Sequence, residues 1–182
     1  PRKFYVHDDI SDSVRKSYGP DSSASILTQE LLELLLRDRE RVTVLTLDDQ
    51  VEELTARGNH NPYDVTIGIG RAGERVAEQL HRRTGWFPTR RTVDVAREET
   101  ATGSYRLVST TGAPLNAQLT GLERFASIAV VNDTVFSGLT MRSVLRELSE
   151  GVLARSHAFC LRAVARSLPK IRALCPIAAG FE

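Results

Sequence analysis

The chain is poor in the residues that identify several large classes of protein. It has only two cysteines, Cys160 and Cys175, and their separation of 15 positions is unlike a C-x-x-C pair. Their apolar surroundings predict buried free thiols in a reducing compartment rather than a disulfide or a metal site. No apolar run approaches the roughly 18 residues of a membrane span, and charged residues occur throughout the first 30 positions. We therefore expect a cytoplasmic protein that has no signal peptide and no membrane partner.

Charge of one sign is not in excess either. The 24 lysine and arginine residues nearly balance the 23 aspartate and glutamate residues, which leaves a formal net charge of +1. This balance gives no reason to expect a nucleic-acid partner. A length of 182 residues suits one globular domain with a substantial core. We predict a single domain over 1–182, with an arm or cap at 1–24, a core at 25–165 and a C-terminal strand or cap at 166–182.

Strand-like and helix-like segments alternate along the core. Runs of β-branched or continuously apolar residues predict strands, and apolar residues at helical spacing predict the helices between them. Two strands are apolar throughout, which favours a Rossmann-like α/β fold, a parallel sheet flanked by helices. Ligands bind at the carboxyl ends of the strands in such a sheet, so we expect the chemistry after residues 70, 95 and 131. The predicted strands are 41–49, 64–70, 90–96, 127–131, 157–164 and 175–180, with a further candidate at 105–110.

The first of these loops matches a known fingerprint. The stretch GIGRAG (68–73) fits G-x-G-x-x-G, follows a predicted strand, precedes a predicted helix and has Asp94 at the end of the next strand. This pattern is typical of dinucleotide binding, and it also fits a plain tight turn between a strand and a helix. A helix and a strand precede this unit, whereas the dinucleotide fold normally begins with it. A nicotinamide-dependent dehydrogenase therefore stays a lesser alternative.

The second loop has the composition of a phosphate cradle. VVNDTVFSGLT (130–140) combines the end of an apolar strand, an amide, a carboxylate and a turn of small residues that opens a helix. Backbone N–H groups at a helix N-terminus bind a phosphate dianion together with nearby hydroxyls, and a carboxylate beside them suits sugar hydroxyls or a hydrated Mg²⁺. An ordinary capped helix N-terminus is the alternative. The residues concerned are Asn132, Asp133, Thr134, Ser137, Gly138 and Thr140.

The stretch IAVVNDTVFSGLT (128–140) resembles the phosphoribosyl pyrophosphate (PRPP) motif of type I phosphoribosyltransferases, and GRAG (70–73) is similar to their pyrophosphate loop. The resemblance implies a Mg²⁺-dependent enzyme that transfers the 5-phosphoribosyl group from PRPP to a nucleobase or a related aromatic nitrogen acceptor and releases pyrophosphate. It also implies a hood over the acceptor, formed by either terminus, and a mobile loop within 97–125. We expect a homodimer because symmetric dimers are the commonest soluble assembly.

The resemblance also assigns roles to individual residues. It implies that Asp133 and Arg97 are catalytic, and that Asp133 meets the Mg²⁺ indirectly, through ribose hydroxyls or water. It places the pyrophosphate at Gly70, Arg71, Ala72, Gly73 and Arg97. It places the ribose and the 5-phosphate at Asn132, Asp133, Thr134, Val135, Phe136, Ser137, Gly138, Leu139 and Thr140.

Three departures from the family pattern bear on the function. Asn132 stands where the family has the first of two acids, which keeps open a non-catalytic module that senses PRPP. Phe136 stands where the enzymes of 6-oxopurines carry an acid for the ring proton, which argues against hypoxanthine or guanine as the acceptor. The segment 94–103 weakly resembles the mobile loop of orotate enzymes but lacks its lysines, so orotate is not favoured.

Overall fold

The structure, a computed structural model, describes residues 4–7, 10–101 and 103–182. These fall into two compact units, of which the first ends at Gln50 and the second comprises Val51–Glu182. The predicted arm at 1–24 belongs to the first unit together with the helix and the strand that follow it. The assignment of 1–182 to a single domain stays a prediction.

The first unit is built around a two-stranded parallel sheet. The strand predicted at 41–49 forms here as β2 and pairs with the arm rather than with the main sheet. Helix α2 carries leucines at helical spacing, as its sequence predicts, and Leu27, Leu31 and Leu34 are 63%, 55% and 61% exposed. In chain order the elements are β1 (Phe4–His7), α1 (Ile10–Tyr18), α2 (Ser23–Leu35) and β2 (Val42–Leu45), after which α3 (Leu47–Ala56) leads into the second unit.

The second unit alternates strands with helices, as the apolar runs of the sequence predict. Strands β3, β4, β7, β8 and β9 form one parallel sheet, and β5 and β6 form a separate antiparallel hairpin. Two short 3₁₀ helices lie at Leu122–Arg124 and Ala165–Ser167. In chain order the other elements are β3 (Val65–Ile69), α4 (Gly70–Thr84), β4 (Arg90–Val93), β5 (Val95–Glu99), β6 (Tyr105–Ser109), α5 (Leu115–Gln118), β7 (Ile128–Val135), α6 (Leu139–Arg146), α7 (Glu150–Leu153), β8 (Ser156–Ala163), α8 (Leu168–Arg172) and β9 (Ile177–Phe181).

The sheet confirms the predicted α/β architecture and fixes where a ligand can bind. Its strand order is β4-β3-β7-β8-β9, and every neighbouring pair is parallel. Strand β3 is buried along its whole length, as expected for a central strand covered on both faces. The strand order reverses between β3 and β7, where Gly68 pairs with Val131. The turns after these two strands therefore lie side by side at the switch point, where ligands of such sheets bind.

Three strand boundaries differ from the predictions. The strand predicted at 41–49 ends at Leu45, and its last three residues begin helix α3. Strand β7 continues through Val135, so the polar residues Asn132 and Asp133 lie within the strand rather than after it. The strand predicted at 90–96 is divided at Asp94 into β4, which joins the sheet, and β5, which joins the hairpin. The division occurs because the backbone of Asp94 is bonded to a side chain: its N–H donates to Oε1 of Gln118 (2.8 Å), and its carbonyl accepts from Nε2 (3.3 Å).

Both cysteines are free and buried, as their apolar surroundings predict. Burial raises the pKa of Cys160 to about 12 and that of Cys175 to about 11, so neither thiol ionises near neutral pH. Among the described residues, no helix is both long and apolar enough to cross a membrane.

A cluster of aromatic and histidine side chains forms around the first residues of β3 and β8, away from the switch point. The hydroxyl of Tyr63 lies 3.3 Å from Nδ1 of His60 and 3.1 Å from Nδ1 of His157. The ring of His157 stacks on Phe159, with centroids 4.6 Å apart, and Trp86 meets His60 edge-on at 4.8 Å. Burial lowers the pKa of both histidines, that of His157 to about 4 with a further contribution from the nearby His60. Both imidazoles are partly buried and neutral at neutral pH.

This cluster predicts a loss of stability in mild acid. The pKa of His157 is about 4 in the folded chain against an ordinary value of 6.5, so the unfolded chain binds more protons between these pH values. The free energy of unfolding therefore falls as the pH drops from 6.5 towards 4, by up to about 2 kcal/mol after allowance for partial exposure. Urea unfolding of the wild type and of His157→Gln at several pH values measures this. If the free energy of unfolding changed equally with pH in both proteins over this range, the lowered pKa of His157 would be contradicted.

Candidate phosphate-binding site

One open cavity of about 410 Å³ lies at the switch point of the sheet. Three segments line it: the turn from β3 into α4, the hairpin strand β5, and the end of β7 with the turn into α6. Most residues that the sequence assigns to PRPP are thus brought together from positions far apart in the chain. The lining residues are Ile69, Gly70, Arg71, Ala72, Val95, Arg97, Asn132, Asp133, Thr134, Phe136 and Thr140.

Five of the assigned residues are not among those that line the cavity. Gly73 is buried within the first turns of α4, and Val135 is buried at the end of β7. The other three form the turn from β7 into α6: Ser137 is exposed, Gly138 is buried at the N-cap position, and Leu139 is the first residue of the helix.

The three glycines of GIGRAG have structural roles in the turn from β3 into α4. Gly70 has a positive φ of 61° and starts α4, a conformation that other residues rarely adopt. A Cβ at Gly68 would lie 2.8 Å from the backbone of Glu74, and one at Gly73 would overlap the carbonyl oxygen of Val131. Gly68 and Gly73 therefore let α4 pack tightly on the sheet. The match to the dinucleotide fingerprint has a structural cause that needs no dinucleotide.

The turn from β7 into α6 contains hydrogen-bond donors, and Thr140 in the first turn of α6 lines the cavity. Gly138 has a φ of 76° and precedes the first turn of α6, whose N–H groups lack partners within the helix. The hydroxyl of Ser137 accepts a bond from the N–H of Leu139 at 3.4 Å. The hydroxyl oxygen of Thr134 is buried without a hydrogen-bond partner among the described residues. A buried polar atom of this kind is costly unless a ligand or a water bonds to it.

Asn132 is bonded to its own strand. It is 7% exposed; its Nδ2 donates to the carbonyl of Thr134 (3.3 Å), and its Oδ1 accepts from the N–H of Asp133 (3.0 Å). A carboxylate in this position would place an acceptor against the Thr134 carbonyl, so the amide suits the local backbone better. Asp133, which is partly exposed, is the one carboxylate among the described residues that line the cavity.

Arg97 connects the hairpin to the helix that follows β7. Its Nε donates to Oγ1 of Thr140, in the first turn of α6, at 2.9 Å. The base of the hairpin is held by Gln118, whose side chain bonds to Asp94 at the start of β5 and to Ser109 at the end of β6. No sequence pattern identifies Gln118, because a single glutamine in a turn-rich segment can have many roles. The hairpin is thus anchored at its base and touches the site through Arg97.

The charges around the cavity suit a ligand with several phosphate groups. Two guanidinium groups, those of Arg71 and Arg97, line it against the single carboxylate of Asp133. Within residues 4–7, 10–101 and 103–182, no group of three or more His, Cys, Asp or Glu side chains is arranged to hold a metal ion. One carboxylate still fits a Mg²⁺ ion that keeps its waters and is held mainly by substrate phosphates. The donor set therefore fits an ion that binds together with a diphosphate.

Comparison with solved structures defines the fold. No family model matches the chain, and no curated protein matches it. The chain is similar to a purine phosphoribosyltransferase from Pyrococcus horikoshii, at 18% identity and a TM-score of 0.54, over 75% of this chain and 83% of that one. The chain has a phosphoribosyltransferase-type fold.

Two other solved structures share this fold. A hypothetical protein from Neisseria gonorrhoeae with bound ppGpp matches at 18% identity and a TM-score of 0.51, over 75% of this chain and 76% of that one. The AQ2163 protein from Aquifex aeolicus matches at 17% identity and a TM-score of 0.50, over 98% of this chain and 86% of that one. At these identities the phosphoribosyltransferase-type fold is shared, and the roles of residues rest on the geometry of this chain.

Proposed function

We propose that the protein is a phosphoribosyltransferase, which transfers the 5-phosphoribosyl group of PRPP to an aromatic nitrogen acceptor and releases pyrophosphate. The observation that carries this proposal is the convergence of two anion-suited turns on one cavity that Asp133 also lines. PRPP has a phosphate at one end, a diphosphate at the other and ribose hydroxyls in the middle. The cavity offers a matching group for each part.

Binding of PRPP follows from the groups on each side of the cavity. The 5-phosphate accepts bonds from the first turn of α6 and from the hydroxyls of Thr134 and Thr140. Each bond to a charged group contributes about 1.5 to 3 kcal/mol. Asp133 accepts bonds from the ribose hydroxyls. The diphosphate lies against the N–H groups of residues 70–72 and the guanidinium of Arg71.

The chain contributes orientation and charge to the transfer step. Bond breakage between C1 and the diphosphate leaves positive character on the ribose ring and negative charge on the leaving group. Asp133 fixes the ring through its hydroxyls and places a negative charge near it, while Arg71 disperses the charge of the leaving pyrophosphate. When bound, Mg²⁺ neutralises part of the same charge, and Asp133 would hold it through water or the ribose hydroxyls.

Phe136 supports an aromatic acceptor. Its side chain lines the cavity and is 61% exposed, which is unusual for a phenylalanine next to a polar site. A flat ring stacks on such a face, with a typical gain of about 0.5 to 1.5 kcal/mol beyond the area buried. Since phenylalanine cannot exchange a proton with the acceptor, we propose an acceptor whose nitrogen needs no carboxylate at this position. Hypoxanthine and guanine remain disfavoured on this ground.

A PRPP-binding module without turnover is the second candidate. Asn132 supports it, because its amide is bonded within β7 and adds no negative charge to the cavity. The fold of the Neisseria gonorrhoeae protein with bound ppGpp supports it as well, since a phosphorylated nucleotide occupies that protein. The hypothesis of a nicotinamide-dependent dehydrogenase rests only on the motif GIGRAG, and two glycines of this motif have packing roles in this chain.

Release of pyrophosphate tests the proposal. Wild-type protein is incubated with PRPP and Mg²⁺ across a panel of nucleobases and small aromatic acceptors, with no-acceptor and chelator controls. We expect release that depends on one acceptor class and on Mg²⁺. Tight PRPP binding without release for any acceptor would favour the sensing module. Thermal stabilisation by NAD but not by PRPP with Mg²⁺ would overturn both candidates.

A further inference from the structure

We infer that Arg97 is a ligand of the 5-phosphate of the substrate. This rests on the proposed function and deepens it. The family resemblance implies that Arg97 meets the pyrophosphate instead. The two assignments differ in which half of PRPP Arg97 binds, and this difference is measurable.

The contact of Arg97 with Thr140 places its guanidinium beside the first turn of α6. Only Nε is used in that bond, at 2.9 Å, and a guanidinium has four further N–H donors on its two terminal nitrogens. These donors lie next to the N–H groups and hydroxyls proposed to bind the 5-phosphate. A phosphate there accepts two parallel bonds from the guanidinium fork while Nε keeps its bond to Thr140. Arg97 thus supplies the positive charge that the neutral turn lacks.

The other arginine of the hairpin forms an ion pair within the hairpin itself. Arg106, on β6, donates from Nε to Oε2 of Glu98 at 2.7 Å and forms an ion pair with the same oxygen at 2.6 Å. Its charge is therefore neutralised within the hairpin. Arg71 belongs to a different segment of the cavity lining, at the start of α4. Arg97 is thus the hairpin residue placed to respond to an anion.

The base of the hairpin helps to hold Arg97 in this position. The side chain of Gln118 bonds to Asp94, Ser109 and Ala113 at 2.8–3.3 Å, and these bonds connect both ends of the hairpin. Arg97 lies three residues after Asp94 on β5 and is exposed, so its terminal nitrogens are accessible to an anion.

Separate halves of PRPP distinguish the two assignments. Calorimetric titration with ribose 5-phosphate, and separately with pyrophosphate and Mg²⁺, is carried out on the wild type, Arg97→Gln, Arg71→Gln and Arg106→Gln. We expect Arg97→Gln to weaken ribose 5-phosphate binding about 10-fold or more and to leave pyrophosphate binding within about 2-fold. Arg71→Gln should show the reverse. Arg106→Gln, the matched hairpin control, should change neither affinity.

Two results overturn the inference, and a third overturns the function itself. If Arg97→Gln lost affinity for pyrophosphate and kept its affinity for ribose 5-phosphate, Arg97 would be a pyrophosphate ligand, as the family resemblance implies. No change with either ligand would remove it from the site. If the wild type binds neither half, the proposed function fails and the inference fails with it. Arg97 is exposed, so unchanged thermal unfolding of Arg97→Gln is the expected check that its fold is intact.

Discussion

Asp133→Asn is expected to lower the catalytic efficiency with PRPP by about 100-fold or more, or to abolish turnover. The substitution removes the one carboxylate among the described residues that line the cavity and keeps the size of the side chain. Asn132 cannot replace it, because both ends of its amide are bonded to the backbone of β7. The steady-state rate of pyrophosphate release and the dissociation constant of PRPP, measured by calorimetry, determine how the loss divides between binding and turnover.

Asp64→Asn is a suitable control for this experiment. The carboxylate of Asp64 accepts bonds from the N–H groups of Ala126 and Ser127, at 2.7 and 3.1 Å, just before β3 begins. Its loss should lower the thermal unfolding temperature and leave PRPP affinity unchanged, which separates damage to the fold from damage to the site. An Asp133→Asn protein with wild-type turnover would remove Asp133 from the ribose site.

The sequence predicted the part of the site that depends on local pattern and on general sheet geometry. Continuous apolar runs identify central parallel strands, and the carboxyl ends of such strands meet at one edge. Glycines and small hydroxyl residues directly after two of these strands then predict where anions bind. This is why the turns at 70–73 and 132–140 are found around one cavity.

The candidate strand at 105–110 is confirmed as β6, but its pairing with β5 in a hairpin could not be predicted in the same way. Its residues lack strong periodicity, and its position depends on single polar contacts between distant residues. Gln118 is 24 positions from Asp94, and Thr140 is 43 positions from Arg97. No property of a glutamine or a threonine alone specifies such a partner. The bonding of Asn132 was also missed, because the extension of β7 through Val135 decides which backbone groups its amide can reach.

The structure changes the interpretation of Asn132. From the sequence it is a missing acid, and therefore a reason to doubt turnover. In the structure it bonds to the carbonyl of Thr134, where a carboxylate would meet another acceptor. A site with one carboxylate and two arginines has a more positive field than a site with two acids, so it holds a diphosphate with less help from a metal ion. The charge balance therefore favours tight PRPP binding in both the enzyme and the sensing module.

The second prediction with a large expected effect concerns a glycine of the motif GIGRAG. Gly73→Ala is expected to lower the free energy of unfolding by about 2 to 3 kcal/mol, the upper part of the usual range for overpacking. The added Cβ would overlap the carbonyl oxygen of Val131, which is part of the central strand and cannot move aside. Helix α4 must then shift away from the sheet and displace the turn at Arg71. Urea unfolding measures the stability, and calorimetry with pyrophosphate and Mg²⁺ measures the effect on the turn.

Gly151→Ala is the matched control, because it makes the same change inside another helix. A Cβ at Gly151 would meet only a side-chain nitrogen of Arg155, at an ordinary 3.9 Å. Alanine is the better helix former by about 0.5 to 1 kcal/mol, so this variant should be as stable as the wild type or more stable. The two substitutions therefore have opposite expected signs, although propensity alone favours alanine in both. If Gly73→Ala were also neutral or stabilising, the close approach of α4 to β7 would be wrong, and with it the position of the proposed pyrophosphate-binding turn.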